Sequence, residues 1–196
     1  HLSSQAEADL QAFEKFVRAG TAGRLLSLTL QRRSARPHYS AGNWINDPKR
    51  SLGAALDLHI HDTDFVLHLL GQPTAVTSRG TCDAEGWNHI FTHYFYPETV
   101  VRAEGGWNYP SKWGFQMAFQ AVFERGAVEY DSAASPTLRV TVGDRPPEPL
   151  PFIPAGGTAR TTGNLSALGG YANELQYFIE CVATGKPPAL ATLDQA

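Results

Sequence analysis

The sequence has only two cysteines, Cys82 and Cys181. They cannot build a disulfide framework, and they lack the close spacing of a metal pair such as C-x-x-C, so a reducing, cytoplasmic setting is expected. No apolar run approaches the ~20 residues that cross a bilayer. The chain opens on "HLSSQAEADL" rather than on a basic stretch followed by an apolar one, so neither a signal segment nor a membrane partner is expected. There is no basic excess either: 16 Lys and Arg stand against 19 Asp and Glu, for a net charge of −3. Without a basic run, nothing electrostatic points to nucleic acid, and a neutral or modestly polar small molecule is the expected partner. The 13 prolines and 18 glycines are dispersed and form neither a repeat nor a low-complexity tract.

What is present fits one folded domain. A length of 196 residues with 42% apolar and 18% charged residues suffices for a real core, and a single domain over 1–196 is expected. "AEADLQAFEKFVRAG" repeats Ala6, Leu10, Phe13 and Val17 at helical spacing and stops at Gly20 and Gly23. "RLLSLTLQRR" alternates Leu26, Leu28 and Leu30 with polar residues, the period of a half-buried strand. Ser34 to Arg50 has no periodicity and reads as a long loop, of the kind that tends to carry function. A helix follows from Ser51, closed by Gly71 and Pro73. Six short strand patterns then run from "TAVTSRG" to "TLRVTVG", and after a proline-rich loop "YANELQYFIECVATG" returns to helical spacing. Helices at the ends and strands between predict an α+β domain, with a mostly antiparallel sheet and helices on one face.

The other face of that sheet lacks a cover. "HIFTHYFY" places Ile90 and Tyr94 on one side and Phe91 and Phe95 on the other. With too few helices for both sides, the open face is expected to meet a second subunit, giving a homo-oligomer.

The stretch that calls for chemistry is "SLGAALDLHIHDTDFVLHLLGQP", in which three histidines and three aspartates interrupt an apolar run. On a helix Asp57, His61, Asp64 and His68 fall on one line, and Leu52, Leu56, Ile60, Leu67 and Leu70 form a separate apolar stripe expected to pack on the sheet. His59 and Asp62 turn towards the back. An acid four residues before a histidine can touch it, the arrangement of a tuned general base. Helix caps or satisfied core partners remain the alternative for these residues. An H-x-H metal site, as in metal-dependent phosphoesterases, needs both histidines on one side. That holds on a strand and fails on a helix.

At these residues the chain resembles the glucose-fructose oxidoreductase and inositol dehydrogenase family (Gfo/Idh/MocA). "GAALDLHIHDTDFVLHLLGQPTAV" is similar to its D-x-G-x-H-x-x-D segment, followed by a leucine-rich turn and G-x-P. "FEKFVRAGTAGRLLSLTLQRR" and "YANELQYFIECVATGKPPALATLDQA" resemble the segments that lead into and close the same domain. The resemblance implies an NAD(P)-dependent oxidoreductase acting on a hydroxyl of a sugar, cyclitol or related polyol. In that family a Rossmann domain precedes an α+β domain that supplies substrate contacts, catalytic residues and the oligomer interface. No G-x-G-x-x-G follows a strand here, and the cluster "AGGTARTTGN" has the wrong spacing, so the chain corresponds to the C-terminal domain with the Rossmann domain absent. NAD or NADP would be held mainly by that other domain, and no cofactor is expected to bind this chain alone. By position His61 is the implied catalytic histidine and Asp57 the acid that orients it or a substrate hydroxyl. Asn43 and Trp44, then Lys112 and Trp113, are candidate substrate contacts; packing of the loops is the alternative for the tryptophans. His59 and Ala54 stand where the family has glycines. A non-catalytic binding or assembly module of the same fold is the alternative function.

Overall fold

The computed structural model describes residues 4–150 and 169–188. The chain divides into two compact units, Phe13–Pro151 and a second made of His1–Ala12 with Phe152–Ala196. Helix α1 (Ser4–Ala19) begins in one and ends in the other. Within the second unit, α3 (Gly169–Thr184) aligns Leu175, Phe178, Ile179 and Val182 along one exposed side. The cluster from Ala155 to Asn164 and the tail beyond Pro188 lie outside the described residues.

The larger unit is one sheet of β1 (Leu25–Ala35), β2 (Ala75–Asp83), β3 (Gly86–Phe95), β4 (Val100–Tyr109), β5 (Phe115–Phe123), β6 (Gly126–Asp131), β7 (Leu138–Val142) and the short β8 (Glu148–Pro149). Their order is β2-β3-β4-β1-β5-β6-β7-β8. Strand β1 runs parallel to β4 and antiparallel to β5, and every other pairing is antiparallel. The expected meander is therefore two meanders with β1 inserted between them. A parallel neighbour requires a crossover, and the segment from Arg36 to Thr74, with α2 (Ile60–Leu70), supplies it.

The inward face of the sheet is set by β1. A register shift between Leu25 and Ser27 makes Leu25 inward and leaves Leu26 exposed, where strict alternation predicts the reverse. From there Leu28, Leu30 and Arg32 point inward, opposite Ala121, Phe119 and Met117 of β5. Phe13 and Phe16 of α1 sit on Phe119 and Phe123, with ring centroids 4.5 and 5.4 Å apart, and Phe13 meets Phe65 of α2 at 6.3 Å. Each fully buried aromatic of this kind contributes about 2–3 kcal/mol. The opposite face carries Thr29, Gln31, Arg33, Arg102, Glu104, Gln116, Gln120 and Glu129 together with exposed Phe91 and Phe95. The architecture is α+β.

Candidate functional site

The site begins at Gly53. Its φ of +68° and its bridge to Trp87 of β3 leave no room for a side chain: a Cβ there would lie 2.4 Å from the Trp87 carbonyl oxygen. The Gly53 carbonyl accepts hydrogen bonds from the backbone N–H groups of Leu56 (3.2 Å) and Asp57 (3.1 Å). The chain then makes one π turn over Ala55–His59 before α2. Such turns recur at functional sites. Ala54 and Leu58 pack with Trp107 of β4 and with Ile45, which pins the preceding loop to the turn. That loop contains a short 3₁₀ segment, Ala41–Asn46, whose Gly42 and Asn43 both adopt positive φ.

Two polar residues face inward. His59 is 6% exposed, and its Nε2 lies 2.7 Å from Thr92 Oγ1, which continues to Ser78 Oγ at 2.8 Å. The Nδ1 atom is buried without a partner, against Gly105, where a Cβ would come within 3.0 Å of it. Asp62 is 5% exposed and pairs with Arg32 of β1, also 5% exposed, through contacts of 2.8 Å to Nη2 and 3.3 Å to Nε. The expected apolar stripe is corrected accordingly. Leu52, Leu56 and Ile60 are 53%, 51% and 44% exposed, and the side of the segment towards the sheet carries Leu58, His59, Asp62 and Val66. The physical reason is the inward Arg32: a buried guanidinium requires a carboxylate, and satisfying it outweighs turning two leucines inward.

Asp57, His61 and Asp64 consequently lie on the outer side, with Asp57 half-buried and the other two exposed. Asp57 and His61 interact electrostatically, with no hydrogen bond between them. Burial raises the Asp57 carboxyl above its usual range, and the neighbouring His61 offsets part of this. His61 is lowered by loss of solvation and, second, by the Arg32 cation. The neutral imidazole, the form able to accept a proton, is thereby favoured. Tyr39 is 80% exposed; partial loss of solvation and, second, the Asp57 charge raise its hydroxyl above the usual range.

Asn43 and Trp44 stand on the loop that Ile45 anchors. The Asn43 Oδ1 accepts a 2.7 Å hydrogen bond from Asn46 Nδ2, and Trp44 is partly exposed. Lys112 and Trp113 are not joined to Asp57 or His61 by any hydrogen bond or ring contact. Trp113 leans on Tyr109 at 4.8 Å, and the Tyr109 hydroxyl donates to Glu104 on the open face. His59 and His61 point to opposite sides, so they cannot close on one metal ion, and among the described residues no group of three or more His, Cys, Asp or Glu could hold one. Among the described residues no helix is long and apolar enough to cross a membrane.

Sequence reasoning missed Tyr39 and Arg32. Nothing in the sequence marks Tyr39, but the signal for Arg32 was present: continuing the alternation of Leu28 and Leu30 puts a charge on the buried phase of β1.

The buried His59 makes stability depend on pH. Burial lowers its folded-state pKa below the usual 6.5. The unfolded chain then binds more protons between the two values, so the contribution is intact above about pH 6.5 and is lost as pH falls below it. The melting temperature is expected to drop between about pH 7.5 and about pH 5.5, and to drop less in His59→Gln. Equal drops in both proteins would rule this out.

A search of curated protein sequences returned no match. Among solved structures, levoglucosan dehydrogenase in complex with NADH and levoglucosan is similar at a TM-score of 0.71 and 15% identity, over 98% of this chain and 58% of that one. Aldose-aldose oxidoreductase from Caulobacter crescentus, complexed with glycerol, is similar at 0.67 and 19% identity, over 95% and 53%. A putative oxidoreductase from Thermotoga maritima matches at 0.67 and 14% identity, over 96% and 53%. These likenesses show the fold, and the chain spans little more than half the length of each. The family model for the GFO/IDH/MocA C-terminal domain matches residues 10–129, more than half of the sequence. The chain belongs to the GFO/IDH/MocA family and carries its C-terminal domain.

Proposed function

We propose that this chain is the substrate-side domain, over 1–196, of an NAD(P)-dependent oxidoreductase acting on a hydroxyl of a sugar, cyclitol or similar polyol, with His61 as the proton acceptor. The observation that carries the reading is the divergence of the two histidines. His59 is consumed by packing, and His61 stands free beside Asp57 on an accessible surface, with its neutral form favoured. Polyol specificity is supported by the neighbouring Tyr39, Trp44 and Asn43, since aromatic faces with an amide suit a ring bearing several hydroxyls. Lys112 and Trp113 would contribute only to a larger substrate reaching the β4–β5 turn.

The residues present fit part of a nicotinamide cofactor. The exposed side chains of Leu56 and Ile60, next to His61, offer an apolar surface for a planar ring. Among the described residues no glycine-rich turn joins a strand to a helix to hold the pyrophosphate. When bound, NAD or NADP supplies the hydride acceptor. Asp57 holds the substrate hydroxyl or the imidazole edge, His61 takes the hydroxyl proton, and Tyr39 and Trp44 limit how the ring can turn. In a protein carrying both this chain and a nicotinamide-binding domain, a panel of sugars and cyclitols should give reduced nicotinamide, followed by its absorbance. No turnover on any hydroxyl substrate, with the cofactor shown to bind, would favour a non-catalytic binding module.

The same reading makes the open sheet face the contact between copies of the chain. Phe91, Phe95 and Val122 are exposed there among pairs such as His89–Glu104 and Arg139–Glu129, a mixed surface suited to a second protein. Light scattering should give a dimer or larger assembly at micromolar concentration, and Phe91→Arg should weaken it. A strict monomer would overturn this part.

A further inference from the structure

We propose that the buried Arg32–Asp62 pair is the positioning element of His61: it fixes the first turn of α2 to the central strand and holds a permanent cation on the buried side of the segment that carries the imidazole. The proposal rests on the reading of His61 as the proton acceptor. Asp62 adjoins His61 in the first turn of α2, and both of its oxygens face Arg32. Arg32 lies on β1, the strand hydrogen-bonded to both β4 and β5, so the anchor is attached to the most constrained part of the sheet.

The remaining surface of the guanidinium is closed off. Its Nη1 meets Met117 Sδ at 2.7 Å, a weak acceptor that neutralises no charge, so Asp62 is the counter-ion in the site. A bidentate fork between planar groups fixes direction as well as distance, which a lysine could not reproduce. The Thr63 hydroxyl adds a second tether, donating 3.2 Å to the His59 carbonyl while sharing a 2.6 Å hydrogen bond with Tyr94. With the turn held on both sides, the imidazole at 61 can only project outward.

Among the described residues, the charges acting on His61 are Arg32 from β1, and Asp57 and Asp62 from its own segment. Arg32 opposes protonation and the two carboxylates favour it, with Arg32 the larger influence. An ion pair out of electrostatic reach of the imidazole would hold the fold and leave the histidine's titration untouched. A positioning pair moves it, and in opposite directions for its two halves.

The test is a nuclear magnetic resonance titration of the His61 ring in the full chain. Asp62→Asn leaves the cation without its counter-charge, and the His61 midpoint should move to lower pH. The paired replacement Arg32→Met with Asp62→Leu removes both charges at similar volume, a change that buried pairs often tolerate. Its midpoint should move to higher pH. Arg32→Lys keeps the charge but loses the fork, so the midpoint should stay low while the ring resonances broaden. Circular dichroism checks that each variant folds, and the paired replacement keeps the test decisive if Asp62→Asn does not. Midpoints that stay put, or move the same way in the two charge-removing variants, would overturn the proposal. Because the readout is the histidine's own titration, this outcome is independent of whether His61→Ala affects turnover.

Discussion

Replacing His61 with alanine, in a protein that also carries a nicotinamide-binding domain, is expected to cut turnover by roughly 100-fold or more, the usual scale for loss of a general base. His59→Ala should cost far less turnover and more stability, because it empties a buried slot beside Gly105 and leaves Thr92 without its ring partner. Asp57→Asn should fall between, since it removes a charge near the imidazole without removing the imidazole. Steady-state kinetics on the three variants, with and without a chelator, separates this mechanism from a metal held through H-x-H. A metal would make both histidines equally intolerant and activity sensitive to the chelator. Equal losses at the two histidines would sink the reading of His61 as a base.

The contrast between the two histidines was legible from helical phase, because phase alone sends His59 and Asp62 to one side and His61 and Asp64 to the other. What filled the inner side was not. A hydrophobic stripe is a statement about one element, whereas burial is decided by two, and here the partner element offers Arg32 and Thr92 in place of an apolar surface. The strands were readable individually, since alternation is local. The placement of β1 between β4 and β5 was not, because it depends on pairings about 70 to 100 residues away in sequence. Tyr39 was missed for a related reason. Its loop is aperiodic, and the electrostatic influence of Asp57 on it arises only in the folded chain, where Ile45 of the same loop packs with Leu58.

Gly53 is where the fold and the site depend on the same atom. Alanine there must adopt the left-handed conformation, at a cost of about 1–2 kcal/mol, and its Cβ would lie 2.4 Å from the Trp87 carbonyl oxygen and 2.9 Å from its nitrogen. Both obstacles are backbone, so neither can swing aside, and the strand or the segment must shift. We expect Gly53→Ala to destabilise by about 3 kcal/mol or more, lowering the melting temperature by roughly 6–12 °C. Gly143 serves as the control. It also has positive φ, at +60°, but a Cβ there meets nothing within 4 Å, so its alanine variant carries only the conformational term of about 1–2 kcal/mol. Differential scanning calorimetry of the two variants separates clash from strain, and equal losses would mean that the close approach to Trp87 does not exist in solution. Because the Asp57 N–H is bound to the Gly53 carbonyl, a Gly53→Ala protein that still folds should also displace Asp57 from His61 and lose turnover. Gly143→Ala, remote from that hydrogen bond, should keep its full rate.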